Sequence, residues 1–443
     1  MRHRILAAAC SLVLLAACGS SSSPAPTPPV PTTSPNPPSA STTPGTPSSP
    51  PPSSVSAVKI GITLPLTADG SGPTNDVRDG VLLAIKDANA KGLIPGVAIG
   101  SVVLDHTVDG ADDLDKGVAD IQALVADPSV VGVVGPFNSY IAAGQIPLSN
   151  QAGLLQCSPS TSNPDLTKGD PGSQLRPSGA VNFLRLSATD DDVVIGVADF
   201  AANVLHAKRA LVIDDSAGYG IGLADGFTSR FTADGGTVVK RVTTDFHATD
   251  YSTVLSAGAK LHPDVVMFGG VTAPDGDTAA GAAVLRHQMA HAGLAGVPLV
   301  GGTSLQDQDG TDGSLIAIAG PAAVGTYGAE VTAADFPARA AFDAEFAAAY
   351  GHEPDPYAGP GYACAQLILR AVAAAAAKGT VTRDAVRSAA VAPNMPVDTI
   401  MGPVSFDAVG DITAPVITIT TVDPKANGGS GGWIVARQMA VGP

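Results

Sequence analysis

The sequence contains few aromatic residues and few basic ones. Phe, Trp and Tyr make up 4% of the 443 residues, and 24 Lys and Arg residues stand against 40 Asp and Glu residues, which gives a formal net charge of −16. No cluster of basic residues follows residue 4. Because proteins neutralise nucleic-acid phosphates with clustered lysine and arginine side chains, this balance argues against a nucleic-acid partner. The chain is long enough for two domains.

Long apolar runs are also missing, except near the N-terminus. Residues 5–15 read ILAAACSLVLL, follow Arg2 and Arg4, and are too short to span a bilayer as a mature helix. This pattern is typical of a signal peptide. The residues LAACGS that come next resemble the lipobox of bacterial lipoproteins. That resemblance implies a signal peptide over residues 1–17 and acylation of Cys18; an ordinary secretory signal is the alternative.

The segment after Cys18 consists almost entirely of serine, proline and threonine. Such a composition cannot bury enough apolar surface to fold, and its prolines favour an extended backbone. At about 3.1 Å per residue, a segment of this length could extend over a distance on the order of 100 Å. We therefore predict a stalk over residues 18–56, which holds a globular part that begins near Val58 away from a membrane.

Short apolar runs alternate with amphipathic segments from Val58 onward. The run VKIGITL at 58–64 precedes a helical pattern at 75–92, and the alternation continues through SVVLDHT, SVVGVVG and LLQCSP. A second series of the same kind begins near residue 189. Continuous apolar strands separated by helices indicate parallel sheets that are covered on both faces. Two such series predict two α/β lobes.

The last part of the chain is less regular and too small to form a third lobe. Two helical patterns are followed by short strand patterns, which we expect to return to the two sheets, so that the chain crosses between the lobes several times. The first lobe is then expected to contain residues 57–186 and 332–406. The second lobe is expected to contain residues 187–331 and 407–443.

Eight landmarks of a known family occur in order along nearly the whole globular part. They are IGITLPLT with DGVLLAIKDANAKG, VVGVVGPFNS, CSPSTSNPDLT, FLRLSATD, LVIDDSAGYGIGLADGF, KLHPDVVMFGG, GHEPDPYAGPGYACAQLILRAV and GPVSFDAVGD. The chain thus resembles the extracytoplasmic solute-binding proteins of branched-chain amino acid uptake, the leucine/isoleucine/valine-binding family. The resemblance implies a type I periplasmic-binding-protein fold, in which three crossovers join two Rossmann-like lobes and a ligand binds in the cleft between them.

Hydroxyl side chains follow two of the predicted strands, in GPFNS and in SPSTSNPDLT. Ligands of open α/β sheets bind beyond the carboxyl ends of the strands, and a helix N-terminus at such an end favours a carboxylate. A hydroxyl can donate to one end of an amino-acid zwitterion and accept from the other. The resemblance implies that Ser139, Ser160 and Ser162 bind the ligand carboxylate and that Tyr219 lies against the ligand side chain. Helix capping is the alternative role for the serines.

The sequence departs from the family at two positions. Pro73 stands where the family often places an aromatic residue against the ligand. Thr303 stands where the family places the acidic partner of the ligand ammonium group, and Asp307 is the nearest acid that could substitute after a loop shift. These departures leave the carboxylate end of the predicted site intact, and they are compatible with a ligand other than leucine or valine.

Beyond the predicted lipidation site, the chain has two cysteines, Cys157 and Cys364. In an exported protein, two cysteines are compatible with a disulfide. Both positions are usually apolar in the family, and a cysteine can also serve there as a small hydrophobic residue. The sequence leaves both alternatives open.

The sequence offers little for catalysis or for metal binding. His287 and His291 lie four residues apart on one face of a predicted helix, but no third ligand stands out, and a solvated helix face is the simpler interpretation. GYGIG lacks the spacing of a nucleotide-binding loop, and no G-x-S-x-G elbow supports a serine nucleophile. We expect no catalytic residue, no metal and no cofactor.

These observations predict a monomeric, lipid-anchored receptor on the extracytoplasmic face of the cell membrane. It would capture a small amphipathic ligand, in the first place an amino acid of the branched-chain type, and would deliver it to an ABC permease. One alternative is a sensor component that uses the same cleft. Another is a receptor for a small carboxylate or amide that is not an amino acid.

Overall fold

A computed structural model of the protein describes residues 57–68, 70–273, 279–306, 314–379, 381–391 and 396–442. The predicted signal peptide, Cys18 and the predicted stalk lie outside the described residues, and so does Asp307.

Strands and helices alternate along most of the described chain. The strands are β1 (Ala57–Leu64), β2 (Ala98–Asp105), β3 (Thr107–Val108), β4 (Ala111–Asp112), β5 (Val130–Val134), β6 (Leu155–Ser158), β7 (Phe183–Arg185), β8 (Arg209–Asp214), β9 (Thr237–Thr243), β10 (Val265–Gly269), β11 (Leu299–Gly301), β12 (Thr326–Glu330), β13 (Val397–Thr399), β14 (Gly402–Val404), β15 (Val416–Asp423) and β16 (Gly432–Ala440). The α-helices are α1 (Gly72–Ala90), α2 (Leu114–Ala126), α3 (Ser139–Gln151), α4 (Gly169–Gln174), α5 (Asp190–Asp199), α6 (Gly218–Ala233), α7 (Ser252–Ala259), α8 (Gly281–Met289), α9 (Leu315–Ala319), α10 (Arg339–Tyr350), α11 (Ala358–Ala377) and α12 (Arg383–Ala390).

The first sheet is parallel and has the strand order β2-β1-β5-β6-β7. Its strand β1 is covered on both faces. Ile60 and Ile62 belong to the core that also contains residues of α11. On the other face, a Cβ atom at Gly61 would touch Leu124 of α2. This double coverage explains why the strands read as nearly continuous apolar runs.

The second sheet has the strand order β16-β15-β12-β11-β10-β8-β9. Strands β8 to β12 pair in parallel, and β15 and β16 add an antiparallel edge. Separate cores lie against this sheet, one with α5 and α6 and the other with α7, α8 and α9. The chain therefore has the predicted α/β class, a type I periplasmic-binding-protein fold with two Rossmann-like lobes.

Three connections join the lobes. They run from β7 to α5, from β12 to α10, and from the β13–β14 hairpin to β15. The residues after β14 still contact the first lobe, because the guanidinium Nε of Arg185 lies 2.7 Å from a carboxylate oxygen of Asp411. The sequence analysis begins the last segment of the second lobe at residue 407. In the structure that residue lies in a segment that packs on the first lobe, and the chain joins the second sheet at Val416.

Helix α11 is the central helix of the first lobe, and it packs closely against α1. A Cβ atom at Gly80 would lie 2.4 Å from the carbonyl oxygen of Ala358, so the two backbones can approach only because this residue is glycine. By length and composition alone α11 could cross a membrane, which the sequence analysis did not anticipate. The apolar stretch of this helix is 67% buried inside the protein, as expected of a core helix.

The two cysteines whose pairing the sequence left open form a disulfide. The sulfur atoms of Cys157, on β6, and Cys364, on α11, are 1.97 Å apart. The bond joins positions 207 residues apart and ties the sheet of the first lobe to its central helix.

Candidate functional site

The predicted serines meet at the carboxyl ends of two neighbouring strands of the first sheet. Ser139 is the first residue of α3 and follows β5, whereas Ser160 and Ser162 lie in the loop after β6. The Oγ atom of Ser139 accepts hydrogen bonds from the backbone N–H groups of Ser162 and Asn163, each at 3.3 Å. The Ser160 hydroxyl donates to the carbonyl oxygen of Phe137 at 2.7 Å. A hydrogen bond thus joins Ser139 to Ser162, and Ser160 lies on the same loop and is bonded to the residues that precede α3; we call these three residues the serine cluster.

This cluster differs from helix capping, the alternative role for the serines. The N-cap residue of α3 is Asn138, and Asn163 caps the short 3-10 helix that follows the β6 loop. The β6 loop is also held by Ser158, a residue that the sequence analysis did not single out. Its hydroxyl donates to the Pro136 carbonyl oxygen at 2.9 Å and accepts from the backbone N–H of Thr161 at 3.1 Å.

Tyr219 and Thr303 meet at the corresponding edge of the second sheet. Tyr219 lies in the first turn of α6 after β8, and Thr303 opens the short 3-10 helix after β11. The Tyr219 phenol oxygen lies 3.2 Å from Oγ1 of Thr303. Burial, and to a smaller extent the negative charge of Asp190, raise the pKa of Tyr219.

Asp190 lies between the serine cluster and the Tyr219–Thr303 pair. It is the first residue of α5, and its backbone N–H donates to the carbonyl oxygen of Ser162 at 2.9 Å. Burial raises the pKa of the Asp190 carboxyl, and a hydrogen bond with the Ser162 side chain and the charge of Arg185 oppose this shift. Its Oδ1 atom is buried and has no hydrogen-bond partner within the described part of the chain. Asp190 is thus an acid that the sequence analysis missed.

A second missed acid, Glu330, ends strand β12. The Tyr357 hydroxyl, at the start of α11, donates to Oε2 of Glu330 at 2.6 Å, and so a residue of the first lobe contacts one of the second. Burial raises the pKa of Glu330 to about 7. The rings of Tyr357 and Phe137 are in edge-to-face contact, with centroids 5.0 Å apart.

Two cavities lie next to the residues that flank the serine cluster in the chain. The larger, of about 800 Å³, is lined by α5, α6 and residues 163–165, and both Asp190 and Tyr219 face it. The smaller, of about 400 Å³, lies on the first lobe and is lined by Pro73 among others. Asn138 lines the smaller cavity and Asn163 the larger, whereas Ser139, Ser160 and Ser162 line neither of the two. The larger cavity has the size of a small-molecule site.

His287 and His291, which the sequence places on one helix face, lie next to each other in the structure. The rings of His287 and His291 are 5.5 Å apart between centroids. Among the described residues, no group of three His, Cys, Asp or Glu side chains is placed to hold a metal ion.

Comparison with known proteins finds relatives of one family. The model of the periplasmic binding protein family matches residues 57–429. A Leu/Ile/Val-binding protein BraC3 of Rhizobium johnstonii is 30% identical over 268 residues, which are 59% of this chain and 66% of that protein. A Leu/Ile/Val-binding protein homolog 2 of Brucella abortus is 26% identical over 362 residues, 81% of this chain and 88% of that protein.

Solved structures show the same fold. An ABC transporter substrate-binding protein from Desulfitobacterium hafniense in complex with Leu superimposes with a TM-score of 0.66 at 22% identity, over 85% of this chain and 100% of that one. A solute-binding protein of an ABC transporter from Rhodopseudomonas palustris in complex with p-hydroxybenzoic acid gives 0.64 at 19% identity, over 87% and 98%.

Proposed function

This chain belongs to the periplasmic binding protein family, and from that premise we propose that it captures a small amphipathic ligand between its lobes and passes it to an ABC permease. The observation that carries the proposal is the juxtaposition of the serine cluster with the buried carboxyl of Asp190. Hydroxyl donors next to a carboxyl group suit the carboxylate and the ammonium group of an amino acid.

The serine cluster would bind the ligand carboxylate. Because Oγ of Ser139 accepts two backbone N–H groups, its own proton can be donated to a ligand. Ser139 also opens α3, where the helix dipole and unpaired N–H groups favour a negative charge. Neutral donors of this kind would hold a carboxylate without a buried cation.

Asp190 would bind the ligand ammonium group. A buried carboxyl with an unsatisfied oxygen is unfavourable until a cation approaches it, and an ammonium group would satisfy that oxygen and favour the ionised form. Asp190 would thereby take over the role that the family gives to an acid at the position of Thr303. The names of the relatives support an amino acid of the branched-chain type as the first ligand class.

A small aromatic carboxylate is the second candidate ligand. It would use the serine cluster in the same way, and the substitution of Thr303 for the expected acid favours it, because such a ligand has no ammonium group. The structure solved with p-hydroxybenzoic acid shows that this fold can take such a ligand. A sensor component with the same cleft remains the alternative to transport.

The proposal includes the attachment and the motion of the receptor. Cys18 would carry the lipid anchor and residues 18–56 the stalk, so that the globular part lies on the extracytoplasmic face of the membrane. A ligand that contacts both lobes only when they are closed shifts the population toward the closed form, which the permease would recognise. The lobes would move about the three connections between them.

The experiment is a thermal-shift screen against amino acids and small carboxylates, followed by calorimetry with the ligand that it identifies. We expect Ser139→Ala with Ser162→Ala to weaken binding about 100-fold or more, because hydrogen bonds to a charged group contribute about 1.5–3 kcal/mol each. Ser256→Ala, at an exposed position of α7, is the control. A double variant that melts like the wild type and binds with unchanged affinity would overturn the proposed site.

A further inference from the structure

Glu330 lies at the edge of the second sheet where the candidate ligand site is built. Strand β12 is the parallel neighbour of β11, the strand that precedes Thr303, and Glu330 is its last residue. Ligands of such sheets bind beyond the carboxyl ends of the strands. The Glu330 side chain keeps part of its surface exposed, as do Tyr219 and Thr303. Glu330 thus lies at the ligand-binding edge of the sheet with part of its surface accessible, although it lines neither of the two cavities described above.

Tyr357 connects Glu330 with the serine cluster. Its hydroxyl donates to Oε2 of Glu330 at 2.6 Å, and its ring packs on Phe137. The carbonyl oxygen of Phe137 accepts the Ser160 hydroxyl at 2.7 Å. A continuous chain of contacts thus runs from the serine cluster of the first lobe to a carboxyl group of the second.

The Glu330 carboxyl has no cationic partner within the described residues. None of the ion pairs found in the described ranges includes it. The groups that face it are Tyr357, whose hydroxyl favours the ionised form, and Asp355, whose negative charge opposes it. A partly buried carboxylate with one hydroxyl donor is costly unless a positive charge is brought to it.

We propose that Glu330 is a specificity-determining residue that selects a ligand with a second, positively charged nitrogen beyond its α-ammonium group. This inference rests on the proposed function, because it assumes an amino acid whose carboxylate lies on the serine cluster and whose α-ammonium group lies at Asp190. The ligand class is then a basic amino acid, in place of the branched-chain type that the names of the relatives support. Tyr357 acts through Glu330 as a positioning residue.

The Glu330 carboxyl distinguishes basic from aliphatic side chains of a ligand. An aliphatic side chain against Glu330 would remove water from the carboxyl and offer no hydrogen bond in return. An ammonium or guanidinium group would form a charge-assisted hydrogen bond with it. Burial raises the pKa of Glu330 to about 7, so the carboxyl is protonated in a fraction of the free protein molecules at neutral pH. A ligand cation would favour the ionised form, and binding would release that proton.

The test compares ligands that differ only in the terminal nitrogen. Lysine and norleucine form one such pair, and ornithine and norvaline form a shorter one. We expect calorimetry at pH 7 to show the basic member of at least one pair binding 10-fold or more tightly, with proton release that appears as a difference between buffers of unlike ionisation enthalpy. Glu330→Gln should abolish both the preference and the proton release. Tyr357→Phe should reduce the preference.

The outcomes separate the two proposals. Glu353→Gln, the same change at an exposed glutamate, should leave the preference unchanged. If norleucine and norvaline bind at least as tightly as their basic partners to the wild-type protein, the role of Glu330 is refuted while the amino-acid site stands. If no amino acid binds, the proposed function itself fails. Because the ligand pairs are compared on the wild-type protein, the inference can be refuted even if a variant fails to fold.

Discussion

The two lobes line the candidate cleft with different chemistry. The first lobe contributes neutral hydroxyls, namely Ser139, Ser160 and Ser162, already ordered by hydrogen bonds to backbone groups. The second contributes carboxyl groups, Asp190 and Glu330, whose pKa values burial raises. A zwitterionic ligand would therefore be oriented, with its carboxylate toward the first lobe and its ammonium group toward the second. In the proposed site both charges would be met when the two lobes enclose the ligand.

Removal of the charge at Asp190 tests the second-lobe half of this contrast and should weaken binding more than the changes described below. We expect Asp190→Asn to weaken an amino-acid ligand about 10- to 100-fold, because truncating one side of a buried charge pair typically costs about 2–5 kcal/mol and the asparagine still offers a hydrogen bond. Calorimetry would measure it. Asp115→Asn, at an exposed position in the first turn of α2, is the control.

The same site should depend on pH in a defined direction. Because burial raises the pKa of Asp190 above its ordinary value of 3.8, acidification protonates it earlier than an exposed aspartate. Protonation stabilises the free folded protein, since the folded state then binds the proton more tightly than the unfolded state, and this contribution is lost as the pH rises through the folded-state pKa. Affinity for an ammonium-bearing ligand should fall on acidification. Asp190→Asn should still bind a small aromatic carboxylate as tightly as the wild type does. If Asp190→Asn also keeps the wild-type affinity for an amino acid, the assignment is wrong.

The disulfide marks a second difference between the lobes, with a smaller expected effect on binding. It joins two positions of the first lobe that are 207 residues apart in the sequence, so the loop that it closes includes the elements of the second lobe from α5 to β12. Loss of such a bond typically lowers the free energy of unfolding by about 2–4 kcal/mol, mainly through the entropy of the unfolded chain. We expect Cys157→Ala with Cys364→Ala to unfold at lower denaturant concentration and to bind ligand with little change. Wild-type stability in this variant would show that the bond does not constrain the first lobe.

The sequence predicts the architecture well because apolar strands and amphipathic helices follow simple periodicities. The serines could be located because both serine stretches follow buried strands. Asp190 could not, because it opens a run of three aspartates that all suit a helix N-terminus. Only the fold separates them. Asp192 accepts the backbone N–H of Thr189, the N-cap residue of α5, whereas Asp191 pairs with Lys168 and Asp190 is buried against Ser162.

Glu330 was missed for a different reason. It ends a five-residue strand, and nothing in its local sequence sets it apart. Its setting depends on Tyr357, which comes from the other lobe after the chain has crossed between the sheets. Contacts of this kind arise from the tertiary fold and leave no periodic pattern in the sequence.

The central claim is that a small ligand bridges the hydroxyl wall of the first lobe and the acidic wall of the second. Small-angle X-ray scattering of the full chain, with and without a saturating concentration of the ligand from the screen, tests it most directly. We predict a smaller radius of gyration for the wild-type protein with ligand and no change for Ser139→Ala with Ser162→Ala at the same concentration. An unchanged radius of gyration in a wild-type sample that calorimetry shows to be saturated would contradict the account.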